Sequence, residues 1–277
     1  MPASDLRRLL ESDRAAIMGI VNTTPDSFSD GGRFLQADRA IEHGLDLVKE
    51  GANILDVGGE STRPGAAKVA EQEELDRVIP VIEGLVSRTD VPISIDTCKP
   101  EVMQQAIAAG ASMVNDVNAL RAPHAVKTVA AQDVVVCLMH MLGTPDTMQE
   151  QPSYTDVVSE VGQFLLDRVR VCEDAGVSKE NIVLDPGIGF GKTISHNLLL
   201  LNSVPELIQN TDCPMLIGVS RKSFIGKVLD RETDQRLHGS IGLAVQAAIN
   251  GAKILRVHDV AASVDAIRIA EAVSHAH

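Results

Sequence analysis

The chain has 277 residues, room for one large domain or two small ones, and its 44% hydrophobic and 23% charged residues are the balance of a soluble globular protein. A formal net charge of −13 argues against nucleic acid and anionic membranes as partners, so an anionic substrate needs a local basic cluster. No apolar run is long enough to span a bilayer, and the opening "MPASDLRRLLESDR" places charges where a signal peptide needs an apolar centre, so the expected location is cytoplasmic.

Residues 1–15 read as a charged, helical N-terminal extension, and residues 16–277 as one domain without a Pro- or Ser-rich linker. Along that domain, short apolar runs rich in β-branched residues recur: "IMGIV" from Ile17, "ILDVG" from Ile54, "ISID" from Ile93, "SMVND" from Ser112, "VVVCLMH" from Val134, "IVLDP" from Ile182, "MLIGVS" from Met215 and "ILRVH" from Ile254. They do not alternate with polar residues, which predicts strands buried on both faces. Segments with helical periodicity lie between them, such as Ile41, Leu45 and Val48, or Ala244, Ala247 and Ala248. Alternating strands and helices imply right-handed βαβ units around a parallel sheet. The dipeptides Gly51-Ala52, Gly110-Ala111 and Gly251-Ala252 each announce a strand, with glycine supplying a left-handed helix cap. Eight such units in roughly 250 residues fit a (β/α)8 TIM barrel, with an open doubly wound sheet as competitor.

Cys98, Cys137, Cys172 and Cys213 stand far apart without CxxC or Cys/His spacing, so free buried thiols are expected rather than a zinc site or disulfides. The stretches Thr23–Leu35, Glu60–Ala70 and Met141–Ser153 each follow a strand and therefore fall at the carboxyl ends, where barrels and open sheets alike keep their sites. The first, within "VNTTPDSFSDGG", reads as a lid hinged at Gly31 and Gly32.

Polar and ionisable residues close almost every strand: Asn22, Asp56, Asp96, Asn115 with Asp116, His140, Asp185, then Ser220, Arg221 and Lys222, and finally Arg256 and His258. Buried ionisable groups are expensive, and so many at one end of a sheet point to a ligand pocket. Asp56 divides evenly between capping a turn and touching a ligand. Asp116 and His140 are assigned structural roles or support of the ligand-contacting residues rather than ligand contact, because their neighbours Asn115 and Met139 point the opposite way along a strand. Lys222 stands at a helix N-terminus, where a cation is disfavoured unless an anion is near. "DPGIGFGKT" imitates a phosphate-binding loop, but Pro186 occupies the first glycine position, so the segment is assigned to backbone approach near the ligand.

Carboxylates, an asparagine and a lysine suit a flat heterocycle offering N–H donors and a carbonyl. Arg63, Arg256, His258 and helix-terminal N–H groups near Ser223 suit a phosphate or carboxylate arm. No Ser/His/Asp or Cys/His arrangement supplies an activated nucleophile.

With these residues in view, "MGIVNTTPDSFSDGG", "DVGGESTRPGA", "SIDTCKPEV", "NDV", "LMHMLGTPDTMQ", "LDPGIGFGK", "GVSRKSFIG" and "RVHDV", in this order from about Met18 to Val260, resemble the dihydropteroate synthases, the folate-pathway enzymes inhibited by sulfonamides. The resemblance implies a (β/α)8 barrel, a homodimer, and condensation of 6-hydroxymethyl-7,8-dihydropterin diphosphate with 4-aminobenzoate. It implies that Asp96, Asn115, Asp185 and Lys222 hold the pterin within walls formed by Met139, Gly218 and Phe190, with Asp96, Asp185 and Lys222 as catalytic groups. Asn22, Thr62, Arg63, Arg256, Val257 and His258 would receive the diphosphate, Asn22 also contacting Mg2+. Phe28, Pro64, Phe190 and Ser223 would border the 4-aminobenzoate. Cys98 stands where the pattern leads one to expect serine. The nearest rival is a pterin-binding methyltransferase domain that uses methyltetrahydrofolate; it has no diphosphate to bind, which "SRKS", "RVH" and the Asn22 loop weigh against. A noncatalytic pterin-binding protein would keep the pocket without the reaction.

Overall fold

Each predicted apolar run becomes a strand: β1 (Ala16–Asn22), β2 (Ile54–Gly58), β3 (Ile93–Asp96), β4 (Met113–Asp116), β5 (Val135–Met139), β6 (Ile182–Asp185), β7 (Leu216–Ile217) and β8 (Ile254–Val257). The computed structural model describes residues 3–23, 33–61, 68–143, 148, 152–274 and 276, without the side chains of 33–35. All neighbouring strands pair in parallel, in the order β6-β5-β4-β3-β2-β1-β8-β7. A further parallel bridge, Leu184 with Met215, joins β6 to β7 and closes the sheet. The open-sheet alternative is thereby excluded, and the architecture is a (β/α)8 barrel. β7 is short because its run breaks at Gly218, after which the backbone leaves the ladder.

The helices are α1 (Ala3–Glu11), α2 (Arg33–Lys49), α3 (Glu71–Val86), α4 (Pro100–Ala108), α5 (Ala125–Ala130), α6 (Val157–Asp174), α7 (Ile194–Asn202), α8 (Val204–Thr211), α9 (Ser223–Leu229), α10 (Leu237–Ile249) and α11 (Val260–Ser274). None among the described residues is long and apolar enough to cross a membrane. Local chemistry sets several of their ends. Asp156 caps α6 by accepting from the backbone N–H groups of Val158 and Ser159 at 3.0 and 3.1 Å. Pro205, in the first turn of α8, separates that helix from α7. The Gly-Ala dipeptides end helices as expected. Gly51, at φ 104°, donates to the Val48 carbonyl at 3.0 Å while Ala52 donates to Leu47 at 2.9 Å, and the same pair of bonds recurs at Gly110 and Gly251. Each cap turns the chain straight into the next strand.

Two apolar cores result. The larger lies between the sheet and its surrounding helices, with Val57, Ile95, Val114, Leu138, Leu184 and Val257 among its strand residues. The smaller fills the lower barrel with Met18, Ile54, Met113, Val135, Cys137, Val183, Leu216 and Ile254. Helix α1 belongs to this inner core: Ala3, Leu6 and Leu10 are buried against it, so the charged N-terminal segment plugs the barrel floor with its apolar stripe. Leu6 is fully buried, a contribution of about 1.5–3 kcal/mol.

Candidate active site

Alternation along each strand carries the inner face upward from the apolar plug to a polar layer. Above Ile54 comes Asp56, above Met113 comes Asn115, above Val183 comes Asp185 and above Ile254 comes Arg256. Asp96 pairs in register with Asn115, and Met139 with Asp185, at the same level. Asp56, Asn115 and Asp185 are buried. The predicted pterin group Asp96, Asn115 and Asp185 is therefore brought together by three strands.

Arg256 organises this layer. Its Nε donates to Asp56 Oδ2 at 2.6 Å and its terminal nitrogen to Asp96 Oδ2 at 2.8 Å, while Asn115 Nδ2 donates to the same Asp56 oxygen at 3.1 Å. The stem of Arg256 passes Gly218, where an added Cβ would meet the arginine Cβ at 3.8 Å. Burial works against the guanidinium charge, but Asp56 and Asp96 outweigh it and hold the proton more firmly than usual. Burial, assisted by the neighbouring carboxylates and opposed by Arg256, pushes the Asp96 pKa up to about 7. The arginine assigned to the diphosphate thus also binds two carboxylates of the pocket floor. Asp56, which the strand pattern left undecided, joins this polar layer as an acceptor for Arg256 and Asn115. Its same-face parity with the arginine was the signal that could have shown this. The Oδ1 atom of Asp56 is buried and makes no hydrogen bond to the protein, leaving an acceptor in the layer.

Lys222 and Asp185 form the other half. Asp185 accepts from the Gly187 N–H at 2.7 Å, and its pKa is raised by burial against the opposing pull of Lys222. Lys222 caps α9 with its amine inside, donating to the Ile188 carbonyl and lying 4.5 Å from the Phe190 ring centroid. Burial lowers its pKa to about 8, with Asp185 opposing and Arg256 reinforcing the shift. Met139, Met141, Met148 and Val117 form a small apolar cluster against which Phe190 and Cys98 pack, giving the pocket one apolar wall. Ser223 is exposed at the first residue of α9.

Asn22 is half-buried at the end of β1, paired with Gly58 and held there by Thr23, whose N–H donates to the Gly58 carbonyl at 2.9 Å. The Ser220 hydroxyl accepts from the His258 N–H at 3.2 Å and lies 3.0 Å from its Nδ1. The side chain of Val257 points into the outer core, so only its backbone can reach the site. Thr62, Arg63, Pro64 and Phe28, with the lid and its glycines, lie outside the described residues. Asp116 and His140 face outward, as their neighbours required. Asp116 accepts from the N–H groups of Asn118 and Leu120 at 2.7 and 2.8 Å, and His140 packs edge-on against Phe164.

Comparison with known proteins gives the family of this chain and the same fold. A model of the pterin binding enzyme family matches residues 18–258. The dihydropteroate synthase of Escherichia coli K12 is 49% identical over 263 residues, covering 95% of this chain and 93% of that protein. A structure of Xanthomonas albilineans dihydropteroate synthase with 4-aminobenzoic acid superposes with a TM-score of 0.90 at 52% identity, covering 96% of this chain and 95% of its own. A structure of the Yersinia pestis dihydropteroate synthase with a sulfonamide drug complex gives a TM-score of 0.91 at 46% identity, covering 96% of each chain. The chain belongs to the pterin-binding enzyme family, among the dihydropteroate synthases.

Proposed function

We propose that this chain joins 6-hydroxymethyl-7,8-dihydropterin diphosphate to 4-aminobenzoate, forming 7,8-dihydropteroate and releasing diphosphate in folate biosynthesis, and that sulfonamides compete at its 4-aminobenzoate site. The observation that carries this reading is the convergence of Asp96, Asn115, Asp185 and Lys222 in one polar layer above the apolar plug, with Asn115 and Asp185 buried. That layer matches the donor and acceptor edges of a pterin ring. Asp96 and Asp185 accept from ring N–H and NH2 groups, Asn115 serves a mixed edge, and Lys222 donates to the ring carbonyl. Met139 lines one face of the ring, and Phe190 stands at the boundary between the pterin and the 4-aminobenzoate. Binding such donors favours the ionised form of Asp96, which burial otherwise disfavours.

The reaction breaks the bond from the pterin methylene to the diphosphate oxygen, and the electron pair leaves with diphosphate. The 4-aminobenzoate nitrogen then forms the new C–N bond and loses a proton. The carboxylates of Asp96 and Asp185 stabilise positive charge developing on the pterin methylene, so ionisation precedes attack and no protein nucleophile is needed. His258 and Arg256, at the end of β8, face the departing charge. Asn22, Thr62, Arg63 and the Val257 backbone complete the diphosphate side, and Phe28, Pro64 and Ser223 complete the 4-aminobenzoate side. The donor set also fits Mg2+. No cluster of three or more His, Cys, Asp or Glu residues suited to a metal occurs among the described residues. Asn22 offers a single amide oxygen, which suits a cation that keeps its waters and binds mainly through substrate phosphates. When bound, Mg2+ supplies neutralisation of the diphosphate charge.

A homodimer is part of the reading. Leu198 and Leu199 of α7 are 44% and 50% exposed, and Val228 and Leu229 of α9, which packs against α7, are 54% and 48% exposed. Such a patch suits a second copy. Four free cysteines suit a reducing cytoplasm. The deciding experiment follows diphosphate release from the pterin substrate. Release that requires both 4-aminobenzoate and Mg2+ supports the assignment, and no release by folded protein overturns it. A strong dependence of the rate on amine nucleophilicity would overturn ionisation before attack.

A further inference from the structure

The turn after β6, Pro186 to Lys192, ends in an unusual buried amine. Lys192 is 4% exposed, and among the described residues no carboxylate forms a salt bridge with it. Its Nζ lies 2.9 Å from the Phe190 carbonyl, 3.0 Å from His140 Nδ1 and 3.4 Å from the His140 carbonyl. Three acceptors face the three N–H donors of an ammonium group. Burial pulls the His140 pKa down to about 3, with Lys192 adding to the effect, so the imidazole is neutral, and its Nε2–H tautomer offers Nδ1 as an acceptor to the lysine. Burial likewise lowers Lys192 to about 7, although Asp185 opposes it.

An ammonium buried without an adjacent counter-charge is an expensive way to fill space, and an apolar side chain would fill it with less strain on folding. Its partners show what it holds. The Phe190 carbonyl belongs to the residue whose ring covers Lys222 Nζ, and His140 directly follows Met139 at the end of β5. The rest of the turn is fixed independently. Tyr154 donates to the Gly191 carbonyl at 2.8 Å, and the Gly189 N–H donates to Asn197 at 2.7 Å.

We propose that Lys192 is a positioning residue for the 4-aminobenzoate side of the site, clamping the Phe190 carbonyl to His140 and thereby fixing the Phe190 ring over Lys222. This rests on the synthase reading, and it assigns a task to the lysine of the decoy phosphate-loop motif. The test compares wild type with Lys192→Met and with Lys192→Gln, which keeps N–H donors without charge. Steady-state kinetics vary each substrate separately, and circular dichroism melting checks folding. Lys192→Met should raise the KM for 4-aminobenzoate about tenfold and leave the KM for the pterin diphosphate within about twofold, with Lys192→Gln between it and wild type. In a Phe190→Ala background the Lys192→Met effect should vanish, because the clamp has no ring left to place. Tyr154→Phe, which loosens the same turn elsewhere, should not split the two KM values. Equal changes in both, no change in either folded variant, or an undiminished effect without the Phe190 ring would overturn the assignment. An inactive wild type would instead overturn the synthase reading beneath it.

Discussion

Replacing Arg256 with methionine tests whether the arginine holds the pocket floor together. The change removes two short ion pairs, to Asp56 at 2.6 Å and Asp96 at 2.8 Å, and leaves Asp56 with only the Asn115 amide on one oxygen. Breaking a buried pair by deleting one partner costs about 3–5 kcal/mol. The arginine side chain is 23% exposed, which places the loss at the lower end, about 3 kcal/mol. The sign of the pH dependence follows from Asp96, whose folded pKa of about 7 is raised above its unfolded value. The folded state therefore binds the extra proton, so its contribution is full below the unfolded carboxylate pKa and is lost as pH rises towards 7. Without Arg256 the Asp96 pKa rises further, and the loss continues past pH 8. The variant should then be destabilised by about 1 kcal/mol more at pH 8 than at pH 6. The chain has no tryptophan and one tyrosine, so urea unfolding of both proteins is best followed by circular dichroism. A loss below about 1 kcal/mol, or one identical at the two pH values, would refute the reasoning.

Gly187→Ala should abolish most activity and destabilise the fold by more than about 1 kcal/mol, since Gly187 has φ 69° and a Cβ there would lie 1.8 Å from the His140 carbonyl oxygen. The clash also displaces the N–H that holds Asp185. Unfolding and initial-rate measurements check it, and near-normal values would show that the turn yields freely. For Lys222, the lowered pKa of about 8 means that its charge is lost as pH rises through that value. The KM for the pterin diphosphate should climb above pH 8 in wild type. A flat profile between pH 7 and 9.5 would exclude a charged Lys222 as a pterin ligand.

Much of this molecule was legible before its coordinates. The eight apolar runs became the eight strands because residues buried on both faces leave an uninterrupted apolar signature, and the Gly-Ala dipeptides marked helix ends through backbone conformation alone. Closure was not legible, since it depends on β1 pairing with β8 from opposite ends of the chain and on a bridge from Leu184 to Met215 that the apolar runs do not announce. Nor was the function of the first residues, whose stripe of Ala3, Leu6 and Leu10 acquires meaning only beneath an open barrel end. Asp96, Asn115 and Asp185 could be placed by strand parity. The partners of Arg256 could not, because an arginine at a strand end can face a ligand or a carboxylate equally well. Lys192 looked like part of a failed motif, since its three acceptors come from a neighbouring strand and a turn.

The pairing of Arg256 with Asp56 and Asp96 spans 200 and 160 residues of chain. During synthesis β2 and β3 are made early, yet the cation that neutralises their inner face arrives on the last strand. A chain halted before Ile254 holds two inward carboxylates without this guanidinium, and an α1 plug facing a floor that lacks Ile254. Partial barrels therefore gain little by forming, and the native state is reached through late, long-range contacts, which slows folding and exposes strand edges meanwhile. The same charge arrangement that prepares the pocket for its ligand makes completion of the final strand the checkpoint of assembly.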